Sequence, residues 1–327
     1  MSIRYIKSID SVYRDSLSLK TLTQIRKEFG AEVEPFTLHM PVPDLLAGAW
    51  MVCRETLLAG NGSRNAKELV AATVSTLNRC PYCIDAHNIM LLESSGHGSS
   101  KILEEPTLRN ISNWALATST PDSPLLLTHP FPEAEAPSFI GTAVFFHYIN
   151  RMVTILLGQS PLPFSSGLPK QVSLHLAAWY FGRAIRLKKQ QSASLNLLPE
   201  AALPDDLSWA IPSPSIASAF ARFAKALENA GNRSLPENVR TAVSNAVQNW
   251  KGSGPDNNEK WYENDIKRME GAERTAGKLA FLTVFNPYRV DQSTVLAFSE
   301  HFPGDDMLIS ALAWSSFTAA RKIGSWL

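Results

Sequence analysis

The feature that most constrains the fold is a similarity of the chain to itself at a nearly constant distance. AGN at 59–61 recurs at 230–232, 171 residues later. Other matches lie at shifts of 165 to 172 residues: PVP at 41–43 with PSP at 212–214, Glu68 with Glu237, ALAT at 115–118 with AFLT at 280–283, and Arg151 with Arg321. A near-constant shift over most of a chain indicates a tandem duplication. The sequence therefore predicts two copies of one structural unit.

Apolar residues at three- and four-residue spacing predict α-helices along most of the chain. The clearest of these segments are 17–29, 44–59, 66–78 and 138–158. Turn residues stand at their ends, and the alternation typical of strands is hard to find. The predicted fold class is all-α.

A region rich in proline and serine separates the two copies. It includes QSPLPFSSGLP and NLLPEAALPDD and contains one predicted helix, over 172–189. The predicted organisation is a first domain over 1–160, a connector over 161–207 and a second domain over 208–327. All three cysteines lie in the first domain.

Composition excludes several classes of function. The chain has 327 residues, 45% of them hydrophobic, and 31 basic against 30 acidic side chains, so no net field attracts nucleic acid or an anionic membrane. The start, MSIRYIKSID, has no apolar run typical of a signal peptide, and we expect no segment to approach the roughly 20 apolar residues of a membrane span. We expect a cytoplasmic protein that binds neither nucleic acid nor membranes.

The chemistry of the chain is concentrated in RCPYCIDAHN, residues 79–88. Pro81 suits the first turn of a helix, which makes Cys80 the N-cap and places Cys83 in the first turn. The N–H groups and the dipole at a helix N-terminus favour a thiolate over a thiol.

His87 follows Cys83 by one helical turn, so the imidazole and both sulfurs share one face of the predicted helix. It can take or return a thiol proton. Glu68 lies on the preceding helix and would orient His87 if the two helices fold against each other. At this point the pair Cys80 and Cys83 could form a metal site, a structural pair or a redox centre.

Together, the carboxylate, the two thiols and the imidazole form the pattern E-x11-C-x2-C-x3-H. This pattern resembles that of the AhpD-like alkylhydroperoxidases of the carboxymuconolactone decarboxylase superfamily. The resemblance is strong over 35–158 and weak over 208–327. Tyr82, between the cysteines, departs from the histidine that some members have there.

The resemblance implies an AhpD-like helical fold in two tandem copies. It implies a peroxiredoxin-type oxidoreductase that reduces small hydroperoxides through a redox-active disulfide, without a cofactor or metal. The implied catalytic residues are Glu68, Cys80, Cys83 and His87. The implied partners are a lipoyl or thioredoxin-like dithiol donor and further copies of the chain in a homo-oligomer.

Three other interpretations remain open. A merely structural pair of cysteines would leave the family spacing of Glu68 and His87 unexplained. Zinc would need ligands beyond this CxxC, and the chain has no second CxxC or paired histidines to supply them. A function of a different class is a non-enzymatic redox-responsive or assembly protein of the same fold, in which the CxxC only senses oxidants.

The spacing also assigns the two sulfurs. His87 is one turn from Cys83 and two from Cys80, so we expect Cys83, its pKa brought toward neutrality, to attack the peroxide. Cys80, expected nearer the solvent, would resolve the sulfenic acid.

The remaining candidates are interpreted as structural. His147 is expected to be a core histidine, and Arg151 and Arg321 are expected to anchor the last helix of each copy. In the second copy, Trp250, Ser253 and Asn257 fall near the positions of the thiols and the imidazole, so this copy is predicted to be catalytically silent.

Overall fold

A computed structural model describes residues 3–6, 15–95, 99–157, 189–252 and 262–327. The described first half contains eight α-helices: α1 (Ser16–Phe29), α2 (Glu34–Thr37), α3 (Pro43–Cys53), α4 (Arg64–Leu77), α5 (Pro81–Ser95), α6 (Ser99–Ile102), α7 (Pro106–Ala117) and α8 (Ala136–Leu156). The described second half contains six: α9 (Pro214–Ser234), α10 (Glu237–Gln248), α11 (Glu263–Lys267), α12 (Gly271–Phe285), α13 (Gln292–His301) and α14 (Asp305–Gly324). No strand occurs in these ranges, which confirms the all-α class.

The four helices predicted from periodicity are present. Three have ends that differ by at most two residues, whereas the segment predicted over 44–59 is α-helical only to Cys53. Local capping explains the boundaries of α1: the Asp15 carboxylate accepts a hydrogen bond from the N–H of Ser18 at 2.7 Å, and Gly30 ends the helix with φ of 87°. After Cys53, helix α3 continues as one π-helical stretch, Arg54–Leu58.

The turn between α4 and α5 positions the thiols. Arg79 adopts a left-handed conformation with φ of 52°, which costs a non-glycine residue about 1 kcal/mol. The N–H of Cys80 donates to the carbonyl of Ser75 at 3.0 Å, closing the end of α4. Helix α5 then begins at Pro81, as predicted, and folds back against α4.

The two halves repeat the same order of helices and share one hydrophobic core. Helices α3, α4, α7 and α8 correspond to α9, α10, α12 and α14. Equivalent helices pack on each other across the junction, α3 on α9 and α8 on α14, as in the contact between two subunits related by a twofold axis. The second half therefore buries its apolar surface against the first. The domain boundaries themselves stay a prediction.

Helix α8 lies at the centre of the molecule. With the short 3-10 turn before it, the segment Glu133–Leu156 is long and apolar enough to cross a membrane, so the sequence-based judgement that no segment approaches a span is wrong by that measure. Its most apolar window is 94% buried inside the protein, as expected of a core helix. All of its side chains except Thr154 are buried.

The connector rejoins the described structure next to the π-helical stretch. Glu55 is fully buried and accepts two hydrogen bonds from the connector, both at 2.8 Å. One comes from the backbone N–H of Ser192 and the other from the hydroxyl of Ser194. Its carboxylate also pairs with Arg54 at 2.7 Å. The helix predicted over 172–189 lies, apart from Lys189, outside the described residues.

We expect Gly48→Ala to lower the free energy of unfolding by about 1–3 kcal/mol, because a Cβ at this position would lie 2.3 Å from Cδ2 of Phe223 in α9. In an isolated helix, alanine is more stable than glycine by about 1 kcal/mol. A net loss of stability in Gly48→Ala would therefore be due to the steric clash between the two halves. Urea denaturation measures the effect.

The double variant Gly48→Ala, Phe223→Leu provides the control. Leucine opens the space that the new methyl group needs, so the double variant should lose less stability than the sum of the single variants. Strict additivity would show that the two residues do not limit the approach of α3 and α9.

Candidate active site

Cys80 and Cys83 lie side by side at the start of α5. Their sulfurs are 2.6 Å apart, both are free thiols, and the residues are only 1% and 4% exposed. Cys80 immediately precedes the helix that begins at Pro81, which confirms its predicted place at the helix entrance. The pair can pass between dithiol and disulfide with little movement of the backbone.

The electrostatic assignment of the two sulfurs is the reverse of the expected one. Burial raises the pKa of Cys80, but hydrogen bonds from the thiol and the backbone N–H of Cys83 outweigh it and leave the pKa below its usual value. Burial, followed by hydrogen bonding with Cys80 and its charge, raises the pKa of Cys83 well above its usual value. The prediction that Cys83 carries the lowered pKa is wrong, because the capping position stabilises the Cys80 thiolate.

The predicted contact between Glu68 and His87 is present. One carboxylate oxygen of Glu68 lies 2.7 Å from Nδ1 of His87, across the packed helices α4 and α5. The other accepts hydrogen bonds from Nε and Nη2 of Arg64, at 2.7 and 2.6 Å. With Nδ1 held by the carboxylate, Nε2 is the nitrogen of His87 that is placed for proton exchange.

Glu68 is an ionised carboxylate inside the protein. It is fully buried, and burial raises its pKa. Arg64 and then His87 lower the pKa by more than burial raises it, so the pKa lies below its ordinary value. Sequence reasoning missed Arg64. Its signal was its spacing of four residues before Glu68 on the same helix, which places the two side chains together.

An apolar cavity of about 320 Å³ opens onto Cys83 and His87. Its walls are mainly aromatic and aliphatic side chains: Phe29, Phe36, Leu57, Ile89, Met90, Phe145, Phe146 and Ile149. Phe146 meets the imidazole of His87 edge to face, with ring centroids 4.5 Å apart. Cys80 is not among the described lining residues. Both cysteines are buried, so the expectation that Cys80 lies nearer the solvent stays a prediction.

One carboxylate lines this otherwise apolar cavity. Glu34 accepts a hydrogen bond from the hydroxyl of Tyr82 at 2.8 Å, and both side chains face the cavity. Burial, followed by the charge of Glu34, raises the pKa of Tyr82, so its phenol stays protonated. Sequence reasoning noted Tyr82 only as a departure and missed Glu34.

Asn150 of α8 connects the thiols to a buried polar network. Its amide hydrogen-bonds the sulfur of Cys83, its Nδ2 donates to the hydroxyl of Ser75 at 3.1 Å, and its Oδ1 accepts from Asn78 at 2.9 Å. Because α8 is distant in sequence from the CxxC, no local spacing could have identified Asn150.

His147 is a core histidine, as expected. Both ring nitrogens are in hydrogen bonds, with Asn78 at 3.2 Å and with Thr118 at 2.8 Å. Burial, with a smaller effect of Arg151, lowers its pKa well below the usual value, so the ring is neutral.

The expected anchoring roles of the two arginines are also seen. Arg151 donates to the carbonyl of Val284 in the second half, and Arg321 forms a bidentate pair with Asp206. Among the described residues, no three His, Cys, Asp or Glu side chains are grouped to hold a metal.

The second half does not reproduce the site in its described part. Glu237 is the first residue of α10 and is exposed, whereas Glu68 is buried in the interior of α4. Trp250 is buried and stacks edge to face on Phe285 at 5.6 Å. Ser253 and Asn257 lie outside the described residues.

Comparison with known proteins covers both halves. Residues 43–96 match the Carboxymuconolactone decarboxylase family. An alkyl hydroperoxide reductase of Mycobacterium tuberculosis is 35% identical over 314 residues, which span 93% of this chain and 89% of that protein. The similarity to this relative therefore extends over both halves of the chain.

We expect Arg64→Gln to cost about 2 kcal/mol of stability at pH 7, because it removes charged hydrogen bonds from the buried Glu68 carboxylate. In the wild type, Glu68 has a lowered pKa, so its contribution is present above the pKa of the unfolded chain and is lost as pH falls through the folded pKa. Without Arg64, burial has the largest effect on Glu68 and favours its neutral form. Protonation of Glu68 at acid pH then removes the unpaired buried charge. The difference between variant and wild type should therefore be largest near neutrality and shrink toward acid pH.

Urea denaturation across pH checks this expectation. Arg26→Gln, which removes an exposed ion pair with Glu32, is the matched control and should change stability by less than about 0.5 kcal/mol. A pH-independent loss in Arg64→Gln would contradict the buried-charge explanation.

Proposed function

The chain belongs to the carboxymuconolactone decarboxylase family, and we propose from this membership and the geometry of its site that it is a thiol-dependent hydroperoxide reductase cycling between dithiol and disulfide. The single observation that carries the proposal is the pair of sulfurs 2.6 Å apart, one of them facing an apolar cavity together with a carboxylate-oriented imidazole. The relative named as an alkyl hydroperoxide reductase supports it.

Cys83 is the sulfur that meets the peroxide, because it lines the cavity. The Cys80 thiolate is its base: at 2.6 Å it accepts the Cys83 proton as the peroxide arrives. The Cys83 thiolate then attacks the terminal oxygen of the hydroperoxide, the O–O bond breaks, and the alkoxide leaves as an alcohol with a proton from His87. Cys83 is now a sulfenic acid.

The second step closes the disulfide. Cys80 attacks the sulfur of the sulfenic acid, and its proton leaves with the hydroxyl group as water. Two electrons have passed from the thiol pair to the peroxide, and a small external dithiol, of lipoyl or thioredoxin-like type, returns them by thiol–disulfide exchange. Glu68 holds His87 in position throughout, and no cofactor or metal takes part.

The cavity suggests the class of hydroperoxide. Its volume of about 320 Å³ and its apolar walls suit an alkyl or aryl group. The Glu34 carboxylate within it disfavours a substrate that carries a second negative charge. We therefore expect neutral organic hydroperoxides to be preferred over anionic ones.

With excess dithiol, the wild type should turn over cumene hydroperoxide many times per chain, whereas an oxidant sensor would be oxidised once. Cys83→Ser should abolish turnover, and Cys80→Ser should stop at a sulfenic acid on Cys83, trapped by dimedone and located by mass spectrometry. Cys53→Ser, which changes the third thiol, should still turn over.

An adduct on Cys80 in the Cys83→Ser protein, with Cys83 unmodified in Cys80→Ser, would reverse the assignment of the two sulfurs. Full turnover in either serine variant would exclude the dithiol–disulfide cycle.

Glu34→Gln should raise kcat/KM for a fatty-acid hydroperoxide about tenfold while leaving its methyl ester nearly unchanged, because glutamine still accepts from Tyr82 but carries no charge. Steady-state kinetics with the two substrates measures this. Glu32→Gln, which neutralises a carboxylate two residues away that pairs with Arg26, should alter neither rate. An equal change for acid and ester would show that Glu34 does not select by charge.

A further inference from the structure

A second cavity, of about 350 Å³, lies between the two halves. The first half contributes the turn before the thiols, with Asn78 and Arg79, and one turn of α8 with Arg151. The second half contributes Trp250 and the short segment after α12, with Tyr288. This cavity shares no described lining residue with the apolar cavity at Cys83.

Arg151 brings a buried positive charge to this cavity. The residue is 6% exposed, and its Nε and Nη1 donate to the carbonyls of Val284 and His147, at 3.1 and 2.5 Å. Both acceptors are uncharged, and in the described part of the chain no carboxylate pairs with Arg151. Burial lowers its pKa to about 10, which still leaves the guanidinium charged at neutral pH.

The remaining lining groups do not neutralise this charge. Arg79 adds a second guanidinium to the wall, and the described lining includes no aspartate or glutamate. His147, also in the wall, is neutral because burial, with a smaller effect of Arg151, lowers its pKa well below the usual value. Elsewhere in the described core, the buried charges of Arg54 and Glu68 face opposite charges. Lys67, like Arg151, donates to backbone carbonyls, those of Thr56 and Gly60, but it does not line this cavity.

Trp250 adds a buried polar group to the wall of this cavity. It lines the same cavity, is 4% exposed, and its indole N–H is buried without a hydrogen-bond partner among the described residues. A buried donor left unsatisfied costs about 1–3 kcal/mol, so such a group is expected to find an acceptor. Phe285 and Pro287 add apolar surface beside it.

We propose that the cavity between the halves is a ligand site for a small organic carboxylate, in which Arg151 pairs with the carboxylate group. A guanidinium suits the planar, two-oxygen geometry of a carboxylate, and the Trp250 N–H is a further donor. The apolar surface of Phe285 and Pro287 accommodates the rest of the molecule. The volume suits a ligand of the size of benzoate.

Isothermal titration of the full chain with benzoate, benzamide, acetate and inorganic phosphate tests this. Benzoate should bind the wild type, and its neutral isostere benzamide should bind at least tenfold more weakly. Arg151→Gln should weaken benzoate by at least tenfold. Saturating 2-phenyl-2-propanol, an unreactive neutral alcohol that suits the apolar cavity, should not compete.

A matched pair of variants keeps the test valid if Arg151→Gln fails to fold. Leu116 is 45% exposed and lines this cavity, whereas Leu19 is 41% exposed on α1 and does not. Leu116→Trp should narrow the cavity and weaken benzoate at least tenfold, while Leu19→Trp should bind it as the wild type does. The proposal is overturned if benzoate does not bind, if phosphate binds as tightly as benzoate, if benzamide matches benzoate, or if Leu116→Trp has no effect.

Discussion

The burial of α8 is the constraint on which both the core and the candidate site depend. One side of this helix packs on α4 and α5, where Phe146 contacts His87 and Asn150 hydrogen-bonds Cys83. Another side packs on α14 of the second half. A helix this apolar cannot face water, so the second half covers the surface that would otherwise be exposed. The duplicated half therefore supports the site without containing a described copy of it.

Buried charge organises the site in the same way. A carboxylate removed from water is tolerated when opposite charges and hydrogen bonds surround it. Glu68 meets this condition through Arg64 on its own helix and His87 on the next one. The interaction holds α4 against α5. It also occupies Nδ1 of His87, so that Nε2 is the nitrogen placed for proton exchange.

The two thiols differ because their surroundings differ, although they are three residues apart. Cys80 accepts hydrogen bonds at the helix entrance, whereas Cys83 lies one turn further, buried and next to the charge of its neighbour. Only Cys83 faces the apolar cavity. In the proposed cycle, Cys80, which has the lower pKa, is the base, and Cys83, which faces the cavity, is the nucleophile. The proton moves from Cys83 to Cys80, whose sulfurs are 2.6 Å apart.

The sequence by itself determined the helical class, the position of α5 and the common face of Cys83 and His87, because helical periodicity, a proline at a first turn and i, i+4 spacing are local properties. The pairing of Glu68 with His87, 19 residues apart, also needed α4 to pack on α5. It also indicated the duplication, since repeated residues keep their spacing whatever the fold. The tertiary structure alone decided which sulfur has the lower pKa, since burial and hydrogen bonding depend on groups brought together by folding. The same reason explains why Asn150 and Glu34 escaped sequence reasoning, and why Glu237, although in register, is exposed. The length and composition of α8 suit a membrane span, and only its packing in the folded protein shows that it is a core helix.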